Sequence, residues 1–302
     1  MQEKLRSWLS PPNPSINHNT AFEIQHRGTA TWFIQGNTFQ EWKQNGSLLW
    51  IRGNRKLLLR SLSVCLLILS PNSQRERGRV SYGTRLFVCL CDKEFIYSIS
   101  SAIVENIKDM RDARSALMAY YYFDYKDSSK RDIRGMLASV LFQLACGSGG
   151  CWDVLYRLYS TCNNGSEQPS NTSLAKCLGD ILKLPGQLPI FVILDALDEC
   201  SSTSETPSPR ERVLEFVEEL VGSGYSNLFI CITSRPEQDI QSFLNPLTSE
   251  SRRVSLHNEI GQREDIRRYV QSFVHTDRAM RRWKEDDKQL VINTLSERAG
   301  GM

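Results

Sequence analysis

Residues Phe191 to Cys200, FVILDALDEC, place three carboxylates at the end of an apolar run: Asp195 directly after Val192-Ile193-Leu194, then Asp198 and Glu199 one tight turn on. Such a run is a buried strand, and a parallel sheet binds its ligands beyond the carboxyl ends of its strands. Asp195 at that end can hold the octahedral magnesium ion of a nucleotide, usually through its waters. Asp198 and Glu199 can orient and deprotonate an attacking water, the one proton transfer that hydrolysis of a phosphoanhydride requires. A solvated Asp-Glu turn is the plain alternative. The full string of apolar run, aspartate, small residue and acidic pair favours the magnesium reading.

A second run, Ile232-Thr233-Ser234-Arg235-Pro236, again closes an apolar stretch and lies about 40 residues further on, with a helix between. Thr233 and Ser234 are expected to face a terminal phosphate, and Arg235 to sense it or neutralise its charge. What such a site also needs is a phosphate cradle of backbone N–H groups and a lysine. The short apolar strand Leu48 to Ile51 ends at Arg52-Gly53, where a phosphate loop should open, and Gly53 is therefore a candidate nucleotide contact. Yet the sequence contains no GxxxxGK[ST], and the chain continues from Gly53 into Lys56 and bulky leucines.

The elements that must position these residues follow from periodicity. Helical spacing covers 98–110, 133–144, 151–160, 174–184 and 211–221, and strands are expected over 116–123, 190–194, 228–233 and 253–256. Strands interleaved with helices predict βαβ units, hence an α/β fold with a parallel sheet covered on both faces. Residues 1–46 read as an N-terminal lead-in: a short amphipathic start at Leu5 to Leu9, a PPNP loop, a polar Asn/His stretch, then Trp32, Phe33, Phe39 and Trp42 in two segments broken at Gly36-Asn37. Trp32 and Trp42 are expected to anchor it to the core. Residues 47–260 form the core, and 261–302 begin a helical region with charged helices over 263–273 and 286–298.

Composition is that of a globular chain, with 40% hydrophobic and 24% charged residues in 302. A net charge of +3 does not argue for nucleic acid. The charge is uneven: residues 54–94 hold eight Lys/Arg against three Asp/Glu, about +5, which leaves about −2 for the rest. The run Leu57 to Leu69 is interrupted by Arg60 and is shorter than the roughly 20 residues of a spanning helix, so no membrane role is expected. Nine cysteines without a CxxC pair, and a start without an apolar leader, point to a reducing cytoplasm. The four histidines, His18, His26, His257 and His275, suggest no metal site or triad, and the tyrosines at 120–122 read as sheet packing.

Taken together, GTATWFIQGNTFQEWKQNGSLLWIRGN, SSAIVENI, YYYFDYKD, SVLFQLA, FVILDALDEC, ITSRP, DIRRYV and ERAGGM resemble the NACHT-type, nephrocystin-3-like N-terminal P-loop NTPase domain of fungal NOD-like receptors. The resemblance runs from about residue 5 to the end, apart from the basic segment. It implies a three-layer P-loop fold in which Asp195 matches the Walker B magnesium aspartate, Asp198 and Glu199 the further acidic positions, and Arg235 the sensor-1 arginine. It also implies a switch in which ATP or GTP with Mg2+ controls self-association, and appended sensor or effector domains read the result. The family's helical region usually continues past Met302, so a fragment is expected.

The departure is local. The family's Lys and Ser of the phosphate loop fall on Ile96 and Tyr97, so nucleotide binding is conditional and hydrolysis is expected to be impaired. Lys93 lies in CDKEF, without the glycines of an anion nest. The segment 54–97 is read as retained noncoding sequence replacing the loop codons, with a true insertion in a nucleotide-independent scaffold and a basic partner-binding or nucleic-acid-binding insert as alternatives.

Overall fold

The computed structural model describes residues 1–24, 30–53, 94–202, 206–256, 264, 267–268, 271–272, 274–275 and 283–298. The expectations for Lys56, Lys93 and the leucine run, for His26 and His257, and for the side chains of Ile96 and Tyr97 lie outside what is described, as does much of the helix read over 263–273.

Five strands form one parallel sheet: β1 (Ser47–Arg52), β2 (Leu117–Tyr122), β3 (Ile190–Asp195), β4 (Leu228–Ser234) and β5 (Arg253–Ser255), in the order β2-β3-β4-β1-β5. Every residue of β3 and β4 is buried, as expected of central strands covered on both faces. The short β5 is one edge of the sheet.

The strands' period of two sends alternate residues into separate cores. On one face Leu48, Trp50, Ala119, Tyr121, Val192, Leu194, Ile230 and Ile232 pack against α1 (Gln2–Leu9), α6 (Ile133–Gly147), α7 (Gly149–Thr161), α8 (Asn171–Leu182), α9 (Pro209–Gly222) and α10 (Gln238–Leu247). On the other, Leu49, Ile51, Met118, Phe191, Ile193, Phe229 and Cys231 pack against α3 (Thr31–Gln35), α4 (Asn37–Asn45) and α5 (Glu94–Asp112). The α/β layering read from the sequence is therefore present.

The N-terminal segment is built into this body. Leu5, Trp8 and Leu9 of α1 enter the first core, and the Trp8 indole donates to the Glu167 carbonyl at 2.7 Å. Trp42 is fully buried and meets the rings of Phe39, Phe191 and Phe229. Gly46 at φ 69° turns the chain from α4 into β1, a conformation that costs glycine nothing.

Two helices depart from the sequence expectation. The polar Asn/His stretch is a helix, α2 (Ser15–Ile24), started by Asn13, whose side chain accepts the Ser15 N–H at 3.0 Å. Apolar periodicity misses it because Asn17 and His18 tie it to the core through hydrogen bonds and the His18 ring. Asn17 donates to Asp124 at 3.2 Å, and the His18 ring bridges Tyr122 and Glu105 at 3.1 and 3.0 Å. Helix α10 places Ile240, Phe243, Leu244 and Leu247 at i, i+3, i+4 and i+7, a pattern legible in principle. At the C-terminal end lies α11 (Glu285–Arg298), close to its expected span.

Candidate functional site

The carboxyl ends of β1, β3 and β4 meet where the chain leaves β1 for the far edge of the sheet and later returns to its other side, a reversal of strand order of the kind that opens a ligand crevice. Asp195 ends β3 with no exposed surface. Register sets Leu194 beside Ile232, and the next residue along each strand brings Thr233 to Asp195. The Thr233 hydroxyl donates to Asp195 Oδ1 at 2.5 Å and accepts the Ala196 N–H at 3.1 Å. From the helical layer, Ser100 on α5 donates its hydroxyl to the same Oδ1. The other oxygen, Oδ2, is buried with no hydrogen-bond partner among the described residues.

That arrangement has an electrostatic consequence. Burial pushes the Asp195 carboxyl up to about 7 despite the opposing pull of the Ser100 and Thr233 hydroxyls, and the charges of Glu199 and Asp198 push the same way. A buried carboxylate with one open oxygen and hydroxyls beside it is a set of hard oxygen donors, the chemistry a magnesium ion selects.

Ala196 leaves the strand at φ 55°, a left-handed conformation that L side chains rarely adopt, and this turns Leu197–Glu199 into a single 3-10 turn. The turn separates the acidic pair. Glu199 is buried, and its Oε2 accepts the Tyr125 N–H at 3.3 Å. Asp198 instead meets Arg235: its Oδ1 accepts the Arg235 backbone N–H at 3.0 Å, and its Oδ2 forms an ion pair with the Arg235 Nε at 3.0 Å. The Asp198 carbonyl accepts from Arg210 Nη2 at 2.6 Å.

Ser234 points to the opposite face from Thr233. Its hydroxyl accepts the Trp50 indole N–H at 2.9 Å, and its carbonyl accepts the Gly53 N–H at 3.1 Å. Asp195, Asp198, Glu199, Arg235 and Gly53 thus share one end of the sheet, while the Ser234 side chain is engaged beneath it.

Sequence reasoning missed three participants. Ser100 sits one turn beyond Tyr97 among the apolar Ile99 and Ile103, and a buried-face serine near the start of that helix was the available signal. Arg210 is buried behind a capping box, Ser208 with Glu211, that resembles an ordinary helix start. Trp50 reads as core in any sequence, and only strand register reveals its bond to Ser234. On the flank, Tyr122 pairs in register with Asp195, and burial, reinforced by the Asp195 charge, pushes its hydroxyl well up, so it stays protonated beside His18. An open groove between α8 and α9, lined by Lys176, Asp180, Arg212, Glu215 and Tyr225, contains none of the candidate residues.

Among the described residues no group of three or more His, Cys, Asp and Glu side chains is placed to hold a metal ion, and no helix is long and apolar enough to cross a membrane. No curated protein and no solved structure matches the chain. Residues 98–235 match the family model Nephrocystin 3, N-terminal, a span that runs from the helix of Ser100 to Arg235 and takes in Asp195, Asp198 and Glu199. The segment that carries every candidate residue except Gly53 is therefore similar to a nephrocystin-3 N-terminal, NACHT-like domain.

Proposed function

We propose that this domain is a nucleotide-responsive switch whose magnesium-binding half is intact and whose phosphate-binding half is impaired. The observation that carries the reading is the open Oδ2 of the fully buried Asp195, flanked by the Ser100 and Thr233 hydroxyls. Asp195 in the Walker B role would hold Mg2+, with Ser100 the hydroxyl nearest to it. The ion, when bound, neutralises charge on phosphate oxygens. Glu199 supplies the carboxylate for a water, and Arg235 the cation for a terminal phosphate. Nucleotide, ATP or GTP, would control self-association of the domain, and any appended sensor or effector parts would read it.

The impairment follows from the sequence, which has no Gly-Lys pair anywhere. A glycine-rich loop with its lysine supplies most of the grip on a triphosphate. The test is equilibrium binding of a fluorescent ATP analogue with magnesium. Micromolar binding that Asp195→Ala abolishes supports the switch. Absence of binding up to millimolar analogue overturns it.

A second reading, a nucleotide-independent scaffold, is favoured by one observation: the Gly53 N–H, which a phosphate would need, is bonded to the Ser234 carbonyl. Self-association measured by sedimentation separates the two, because a scaffold associates to the same extent with and without nucleotide.

A further inference from the structure

We infer that Asp198 is a clamp that holds Arg235 off the site, not a carboxylate that handles water. A phosphate-bearing ligand must then draw Arg235 away from Asp198 in order to use it. The nucleotide reading above enters only through the identity of that ligand; the clamp itself stands on contacts within the chain.

Both oxygens of Asp198 face one arginine. Oδ1 takes the Arg235 backbone N–H and Oδ2 forms an ion pair with the side-chain Nε, so the carboxylate fixes the start of the side chain and pairs with its charge. A carboxylate aimed in this way presents its oxygens to a cation and not to a water. Glu199 differs: it accepts a backbone N–H, from Tyr125.

Asp198 is itself immobilised. Arg210 is buried and spends its guanidinium on four acceptors: the carbonyls of Asp198 and Cys200 through Nη2 and Nε, and the carboxylates of Glu237 and Asp239 through Nη1 at 2.5 and 3.0 Å. These bonds join the turn after β3 to the segment after β4. Arg235 is the mobile partner of the clamp, since its side chain is 30% exposed against 6% for Asp198. Charge-assisted pairs of this kind, partly shielded from water, hold better than exposed ones.

The clamp and the water-handling role predict opposite signs for one substitution. Asp198→Asn keeps the shape and an oxygen for the Arg235 N–H but removes the charge. If Asp198 is a clamp, Arg235 is released. The readout is the rate at which phenylglyoxal modifies Arg235 in the folded full chain, followed by mass spectrometry, with the buried Arg210 as the internal measure of an intact fold. Asp198→Asn should raise the Arg235 rate about tenfold while Arg210 stays unreactive. Equal Arg235 rates in the two chains overturn the clamp.

Should Asp198→Asn fail to fold, the unsubstituted chain decides: Arg235 reacting as fast in the folded protein as in urea overturns the proposal, and a rate at least about tenfold slower supports it. Binding of a non-hydrolysable ATP analogue with magnesium is measured in parallel. Tighter binding to Asp198→Asn than to the parent supports the clamp, and weaker binding overturns it. Absence of binding in both chains overturns the nucleotide reading alone, and the modification rates still decide the clamp.

Discussion

The hydroxyl of Ser100 donates to the carboxylate of Asp195, ninety-five residues further along the chain, and this bond ties helix α5 to the end of β3. Two hydroxyls, from Ser100 and Thr233, converge on one oxygen of a carboxyl group that has no exposed surface. Removing either leaves a buried acceptor less satisfied. Ser100→Ala should lower stability by about 1–3 kcal/mol, read as a shift in the urea midpoint with an unchanged m-value.

The pH dependence of stability carries a sign that Asp195 fixes. Its carboxyl is raised to about 7 in the fold, above the ordinary 3.8. Its stabilising contribution is therefore complete below pH 3.8 and is lost as pH rises through about 7. Over that window this group alone tilts stability downward by up to about 1.4 kcal/mol per pH unit. Asp195→Asn should flatten the tilt in urea titrations run between pH 5 and 8. Magnesium at pH 8 should raise the midpoint of the parent chain and leave that of Asp195→Asn unmoved.

Trp42 is fully buried, with Phe39, Phe191 and Phe229 on its faces and edges and its indole N–H on the Ser47 carbonyl at 3.0 Å. Trp42→Ala removes that volume and leaves the Ser47 carbonyl without its donor. A loss of about 3–5 kcal/mol is expected, visible as a large drop in thermal midpoint.

Helix α2 is held at the end of β2 by polar contacts, chiefly those of His18 and Asn17. His18→Phe keeps a ring of similar bulk and deletes two hydrogen bonds. It should cost about 1–2 kcal/mol, and limited proteolysis should then cut within α2 before the rest of the domain.

The capping box of α9 closes on both sides, with the Ser208 N–H donating to Glu211 at 2.6 Å and the Glu211 N–H to the Ser208 hydroxyl at 3.2 Å. Ser208→Ala should cost about 1 kcal/mol. Arg210 lies two residues inside that cap, so the same change should also speed amide exchange at Asp198 and Glu199, measured by mass spectrometry.

Much of this fold is legible in the sequence because its strands are buried on both faces and its main helices are amphipathic. Both properties print a local pattern, and Ile190 to Leu194 or Ile133 to Leu144 can be read without a partner in view. Helix α2 was illegible because its described contacts run from His18 and Asn17 to residues more than eighty positions away. The site divides in the same way. Asp195, Asp198, Glu199 and Arg235 stand at strand ends, which sequence locates. The partners that tune them do not: Ser100 reaches Asp195 from α5, Arg210 reaches Asp198 from α9, and Ser234 faces Trp50 because the strand period, not the motif, decides its side.

The tip of β4 acts as a two-way selector. Thr233 and Ser234 are successive residues, so one hydroxyl serves Asp195 on one face and the other serves Trp50 on the opposite face. A single residue inserted within Leu228–Ser234 would exchange these assignments and turn the flanking apolar side chains to the wrong layers. An insertion at Ser223-Gly224, where nothing lies within 4 Å of a Cβ built on Gly224, shifts no register pair. Grafted loops, tags and reporter peptides should therefore be accepted at that connection and rejected a few residues later.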